Sequence, residues 1–312
     1  MASPFRSILV PVDFSPACTS ALDGALSWAR RFDAQLEVLH VWNAPAYVSP
    51  ELQVELGAGQ GKKSLIDVMH QVGEQQMQQL LARVPPADLP RIRAVVRAGE
   101  PYAAILEHAA QHDLMIMGTQ GRRGLEALVL GSTAERIVRN STRPVLVVKA
   151  GQSIEAPKRI LVPIDFSNHA RLALTQAAAL AQAFGAEILA LHVIKKMPAI
   201  DGLEGLALSY GGDSIRSYEH FALEHAEKEL DLFLSKTPGH EAKKKVVHGD
   251  SVKEILETIK AGGTDLIVIG RRGRTLLGID LGSTALKVLR AASVPVLAVH
   301  DPTPIEPIED EV

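Results

Sequence analysis

A nine-residue segment near the start of the chain comes back halfway along it. Ser7-Ile8-Leu9-Val10-Pro11-Val12-Asp13-Phe14-Ser15 returns as Arg159-Ile160-Leu161-Val162-Pro163-Ile164-Asp165-Phe166-Ser167. Leu39-His40-Val41 returns as Leu191-His192-Val193, and Gly118-Thr119-Gln120-Gly121-Arg122 as Gly270-Arg271-Arg272-Gly273-Arg274. Gly131-Ser132-Thr133-Ala134 then matches Gly282-Ser283-Thr284-Ala285, and Arg143-Pro144-Val145-Leu146 matches Val294-Pro295-Val296-Leu297. The order is kept, and the offset stays within two residues of 152. Solenoids repeat every 20–50 residues or so, which makes this long period a duplicated domain. A chain of 312 residues is long enough for two such domains, each with its own core. The short polar stretch Ala150-Gly151-Gln152-Ser153 sets the expected boundary, with one domain over 1–150 and the second over 156–301. The Pro- and acid-rich tail 302–312 is expected to be disordered.

Within one copy, apolar runs of strand length alternate with helical patterns. Ile8 to Val12 is continuously apolar and bounded by turn residues, as a buried parallel strand is. Ser15-Pro16 follows as an N-cap and a first-turn proline, opening a helix through about Phe32. Further strands are expected at Leu36–Val41, Ile92–Val96, Leu114–Met117 and Val145–Val148. The second copy repeats them at Ile160–Ile164, Ile188–Val193, Lys244–Val247, Leu266–Ile269 and Val296–Val299. This alternation predicts an α/β fold with a parallel sheet covered on both faces. Ligands of such sheets sit at the carboxyl ends of the strands, where Asp13, Gly118, Asp165 and Gly270 are placed.

The spacing Gly118-x2-Gly121-x9-Gly131-Ser132 begins as a strand ends and runs into the helical pattern Ala134-Glu135-Arg136-Ile137-Val138. Glycines let a backbone approach phosphate closely, and the first N–H groups of a helix form an anion site. The hydroxyls of Ser132 and Thr133 can add hydrogen bonds, and Arg122 and Arg123 add positive charge. Asp13, at the end of the first strand, can bond a ribose hydroxyl or hold a metal that accompanies the phosphates. The bland readings are a glycine loop that turns the chain and an aspartate that helps cap a helix.

Other features carry less. Gly57-Ala58-Gly59-Gln60-Gly61-Lys62-Lys63-Ser64 lacks the spacing of a Walker loop and reads as a mobile loop. No glycine follows the first strand, where a dinucleotide fingerprint places its glycines. His40 and His192 lie within apolar strands and read as structural, and His220 and His225 are five apart, off a shared metal-binding face. Cys18, the single cysteine, reads as packing. A net charge of −3 gives no basic excess for nucleic acid, and no apolar run has the length of a membrane span. Absence of a signal-like N-terminus and of disulfides points to the cytoplasm.

Val10-Pro11-Val12-Asp13, the glycine motif and Arg143-Pro144-Val145-Leu146-Val147-Val148 together resemble the universal stress protein family, and the whole chain resembles its tandem form. The resemblance implies, in each half, a doubly wound five-stranded parallel sheet of order 3-2-1-4-5. It also implies a pseudo-twofold pair of the two halves through their last strands, with a homodimer as a larger assembly. Its ligand would be ATP or another adenine nucleotide, accompanied by Mg2+. By position, Pro11, Val12, Asp13, Val41, Met117 and Gly118 would surround the adenosine, and Gly121, Arg122, Gly131, Ser132 and Thr133 would hold the phosphates. In the second half these roles fall on Pro163, Ile164, Asp165, Val193, Ile269 and Gly270, and on Gly273, Arg274, Gly282, Ser283 and Thr284. Eight residues separate Gly273 from Gly282 where the first half has nine, so the second site is expected to hold phosphate less well.

Three functions follow as expectations. The first is a nucleotide-binding regulatory module of the stress response, with at most slow ATP hydrolysis. The second is an ATP-hydrolysing or adenylyl-transferring enzyme of related architecture. Such enzymes place a Ser-Gly-Gly-x-Asp-Ser loop after the first strand, where this chain has Asp13-Phe14-Ser15. The third is a scaffold that binds no nucleotide and acts through dimerisation.

Overall fold

Three consecutive fully buried residues, Ile8, Leu9 and Val10, make the first strand a core strand with no solvent face. In the computed structural model, which describes residues 4–43, 49, 52–55, 62–119, 130–195, 213–239, 241–273 and 281–300, that strand is β1 (Ser7–Pro11). It is followed by α1 (Pro16–Phe32) and β2 (Gln35–Trp42). Then come the short strands β3 (Gln53–Glu55) and β4 (Lys62–Ser64), α2 (Leu65–Leu81) and β5 (Ile92–Ala98). The first repeat closes with α3 (Pro101–Ala109), β6 (Leu114–Gly118), α4 (Ser132–Asn140) and β7 (Val145–Val148). The second repeat has β8 (Arg159–Ile164), α5 (Asn168–Phe184), β9 (Glu187–Lys195), α6 (Asp213–Ser235) and β10 (Lys243–Gly249). It ends with α7 (Ser251–Lys260), β11 (Leu266–Gly270), α8 (Ser283–Ala291) and β12 (Val296–Val299).

The chain divides into two compact units. The first comprises Met1–Pro157 together with Leu289–Leu297, and the second Lys158–Val288 with Ala298–Val312. In the first unit the strands lie in the order β5-β2-β1-β6-β7, and every pairing is parallel. The strands of the second repeat lie in the order β10-β9-β8-β11-β12, with β10-β9, β9-β8 and β8-β11 parallel. The chain thus moves outward from its central strand, returns, and continues on the other side, so the order reverses at β1 and at β8. Helices cover both faces. On β2, Glu37 meets His108 of α3, whereas His40 lies under Gly73 of α2, and residues of odd and even number on a strand face opposite sides.

Capping explains where the first helix of each unit begins and ends. Ser15 and Ser167 accept from Cys18 N and Ala170 N, and Pro16 takes a first-turn position where no amide is needed. The helices stop at left-handed residues, Asp33 in one unit and Gly185 in the other. Lys243 and Lys244 on β10, and Arg93 on β5, are exposed on the edge strands and discourage edge-to-edge pairing.

The segment after β7 does not behave as a free linker. Ile154 is buried and packs where a Cβ on Gly24 would stand, only 1.9 Å from its Cγ1. Trp28 Nε1 donates to the Ile154 carbonyl, Ser27 Oγ to that of Glu155, and Gly151 N to Ser20 Oγ. Residues 151–157 are therefore a strap along α1 and belong to the first unit. Lys149 is buried beside them, and its Nζ donates to the carbonyls of Arg290 and Ala292 at 2.8 and 2.7 Å, within the same unit. Burial pushes this ammonium below the usual lysine range. Arg290 in turn pairs with Glu135 at 2.6 Å.

One ion pair beneath α1 gives a pH-dependent prediction. Asp88 is only 4 % exposed and accepts from Arg30 Nε at 3.0 and 3.1 Å. That hydrogen bond holds its carboxyl below the usual range, against the opposing effect of burial. A depressed carboxylate stabilises the fold above its unfolded pKa, and the contribution disappears as pH falls through the folded value. Asp88→Asn is expected to cost about 1–3 kcal/mol at pH 7. The gap from wild type should shrink in urea titrations as the solution is acidified; a gap independent of pH would mean the charge is not the cause.

Candidate functional site

The expected site residues of the first unit gather where β2, β1 and β6 end side by side. Pro11 pairs in register with Leu39, the amide of Val12 donates to the Leu39 carbonyl, and Val41 follows two residues on. On the other side of β1 lie Met117, buried, and Gly118, the last residue of β6. Thr119 donates its amide to Val148, and its carbonyl accepts from Gly131 at 2.7 Å. That bond draws the two ends of the glycine loop together and sets the start of α4 above the strand ends. Ser132 and Thr133 are exposed in its first turn. Gly121 and Arg122 lie outside the described residues.

The second unit repeats this arrangement. Pro163 and Ile164 end β8, Val193 lies on β9, and Ile269-Gly270 ends β11. Arg271 donates its amide to Val299 and accepts from Gly282 at 2.8 Å, which fixes the start of α8 with its exposed Ser283 and its Thr284. The loop of this unit is one residue shorter, yet both anchor bonds match those of the first unit. The two pairs of anchor bonds agree to within 0.1 Å, at 3.0 and 2.7 Å in the first unit and 2.9 and 2.8 Å in the second. Arg274 lies outside the described residues. Gly273 does reach the aspartate, since a Cβ there would stand 2.7 Å from Asp165 Oδ2. The motif glycine and the strand-end carboxylate, 108 positions apart in the chain, are neighbours.

The carboxylates are oriented by a tight local turn. Asp13 Oδ1 accepts the Ser15 amide at 3.0 Å, and Asp165 Oδ1 accepts the Ser167 amide at 3.1 Å and its hydroxyl at 2.6 Å. Between aspartate and serine, Phe14 and Phe166 adopt left-handed backbone, with φ of 63° and 62°. A bulky residue in that region costs on the order of 1–3 kcal/mol, so the surroundings must hold it there.

The glycines serve two different purposes. A Cβ on Gly118 would stand 2.8 Å from the Ala17 carbonyl carbon, and one on Gly270 2.7 Å from that of His169. The first glycine of each motif therefore lets the strand end touch the backbone of the helix. Gly131 has φ −61°, open to any residue, and around Gly282 a Cβ meets nothing among the described residues nearer than 3.4 Å. At Gly282, the last glycine of its motif, that space lies at a helix start and is available to a ligand.

Arg271 and His300 escaped the sequence reading. Arg271 is 4 % exposed, and its Nη2 donates to His300 Nδ1 at 2.8 Å. Burial, and then the charge of Arg272, lower its guanidinium to about 10. The first unit has Thr119 and Lys149 at the matching positions, and that substitution within the repeat was the available signal. Cys18 is buried, and burial together with Asp13 raises its thiol, in keeping with a packing role. His220 and His225 make i,i+4 pairs with Glu224 and Glu229 along α6. Lys62–Ser64 forms a short hairpin strand against Gln53–Glu55, where the sequence suggested a loop, while Gly57–Gly61 lie outside the described residues. No group of three or more metal-ligating side chains occurs among the described residues, and no helix among them is long and apolar enough to cross a membrane.

The model of the universal stress protein family matches residues 4–149 and again 157–300. A universal stress protein of Methanocaldococcus jannaschii is 33% identical over 153 residues, which cover 46% of this chain and 82% of the relative. One from Mycobacterium tuberculosis is 28% identical over 206 residues, covering 64% and 66%. Among solved structures, a universal stress protein of Archaeoglobus fulgidus superimposes with a TM-score of 0.65 at 21% identity, covering 96% of this chain and 99% of that one. A putative universal stress protein of Pseudomonas aeruginosa gives 0.59 at 17%, covering 95% and 93%. With two family domains spanning nearly all of its length, the chain belongs to the universal stress protein family in its tandem form.

Proposed function

We propose that each unit binds an adenine nucleotide, ATP first among them, and that the chain is a cytoplasmic regulatory protein of the stress response with at most slow hydrolysis. One observation carries this reading. In both units a hydrogen bond between the loop ends sets the free N–H groups of a helix start over the strand ends, beside an oriented aspartate. A helix start binds phosphate, and an aspartate at the end of a parallel strand suits ribose or base hydrogen bonding. Each unit offers one carboxylate to a cation, with one oxygen already accepting a backbone amide. That donor set fits Mg2+ arriving on phosphate oxygens rather than a metal held by protein alone. Bound there, the ion would neutralise phosphate charge.

Mass spectrometry of the freshly purified, denatured protein is expected to release adenine nucleotide, and calorimetric titration with Mg-ATP to show binding. No heat at millimolar ligand would sink the proposal. Gly131→Val and Gly282→Val should each weaken binding at their own site about a hundredfold, by filling the phosphate position. Stability should change by less than about 1 kcal/mol, because a Cβ at Gly282 would make only ordinary contacts with the described residues and the Gly131 backbone suits any residue. Matching anchor bonds predict equal losses at the two sites. A much smaller loss from Gly282→Val would show that the shorter loop matters after all.

A further inference from the structure

We propose that His40 and His192 are positioning residues that grip the chain on both sides of the site aspartates, Asp13 and Asp165. The proposal rests on the nucleotide reading of the site and adds to it the device that holds each carboxylate in place. His40 Nδ1 lies 2.8 Å from the carbonyl of Val12, the residue before Asp13. Its ring lies 4.4 Å from that of Phe14, the residue after Asp13. His192 repeats both contacts at the same distances, 2.8 Å to the Ile164 carbonyl and 4.4 Å to the Phe166 ring.

A carbonyl only accepts, so Nδ1 carries the proton in both units. Each histidine thus pins the strand-end peptide plane through a hydrogen bond, and packs the ring of the phenylalanine whose left-handed backbone makes the turn. Those two restraints fix the direction in which the intervening carboxylate leaves the chain. If the phenylalanine relaxed to extended backbone, the Ser15 or Ser167 amide would swing away from the aspartate and the carboxylate would lose its orientation. The surroundings of the two histidines differ. His40 lies beneath Gly73, where a Cβ would come within 3.3 Å of its ring. In the second unit Phe233 packs edge-on against Phe166, and the Arg171 guanidinium lies over the Phe233 ring. The contact around the aspartate is common to both units while its packing is not, which marks that contact as the shared device.

The test uses the full chain and Mg-ATP. His40→Leu removes the donor and the ring, and is expected to weaken binding at the first site about tenfold. His40→Asn keeps an amide donor close to the Nδ1 position and should recover most of that affinity, although it packs no ring and melts as low as the leucine variant. Affinity that follows melting temperature across both variants would reduce the histidine to packing and overturn the proposal. A second readout needs no nucleotide. In ligand-free protein the Ser15 amide, which donates to Asp13 Oδ1, should be protected from hydrogen exchange, and this protection should vanish in His40→Leu. If the wild-type protein binds no nucleotide, the nucleotide reading falls and the amide protection decides alone. Its persistence in His40→Leu would overturn the positioning role, and its loss there would sustain it.

Discussion

Gly118→Val is expected to destabilise the first unit by about 3 kcal/mol or more, because the atoms in its way belong to a backbone. A Cβ on Gly118 would stand 2.8 Å from the carbonyl carbon of Ala17 and 2.9 Å from the amide nitrogen of Cys18. A side chain could rotate away; the first turn of α1 can only move bodily off the sheet. That movement would pull Ser15 from its capping position and disturb the turn that aims Asp13. The mirror variant, Gly270→Val, meets the His169 carbonyl carbon and oxygen at 2.7 and 2.8 Å and should behave alike. For a unit of this size the loss corresponds to a fall in melting temperature of roughly 6–12 °C. Calorimetry and urea titration read it directly. A Gly118→Val protein that melts with the wild type would mean α1 does not start against β6.

The second large effect is Trp28→Ala, for which a loss of about 3–5 kcal/mol is expected. Trp28 is 0 % exposed, stacks on Phe5 with ring centroids 6.1 Å apart, and meets Phe32 edge-on at 5.8 Å. Its indole N–H also holds the strap through the Ile154 carbonyl. Trp28→Phe separates these contributions, since it keeps most of the packing and loses the hydrogen bond. It should cost about 1–2 kcal/mol. Limited proteolysis gives an independent reading: release of the strap should expose residues 151–157 to cutting in Trp28→Ala before the rest of the unit unfolds. Equal protease resistance in wild type and Trp28→Ala would show that the indole does not hold the strap.

The α/β character and the placing of the main strands were legible because continuous apolar runs have few other uses in a chain this polar between them. Ile92–Ala98 and Lys243–Gly249 extend past their expected ends, since β-pairing with β2 and β9 carries on beyond the apolar residues. The hairpin Gln53–Glu55 with Lys62–Ser64 left no such pattern; its residues are mostly polar and face solvent. At the site, residue types at the strand ends could be read but not the conformation between them. Asp13-Phe14-Ser15 gives no hint of a left-handed phenylalanine, because the restraint comes from His40, 26 positions later. That the stretch after β7 forms a strap along α1 was not read from the sequence, although a signal was present. Gly24 sits in the interior of α1, where glycine costs about 1 kcal/mol relative to alanine, and it is tolerated there because Ile154 fills the space.

The membership of Leu289–Leu297 in the first unit has a consequence for biosynthesis. The carbonyls that receive Lys149 are made only after the whole stretch from Lys158 to Val288 has been translated. At elongation rates of about 5–20 residues per second the nascent first unit waits on the order of 10 s for them, with the Lys149 ammonium still in water and the apolar residues around it uncovered. During that interval it is an incomplete body that another ribosome's product could complete instead. Tandem fusion places the completing segment on the same molecule, so the wait ends by intramolecular capture rather than by a search through the cell.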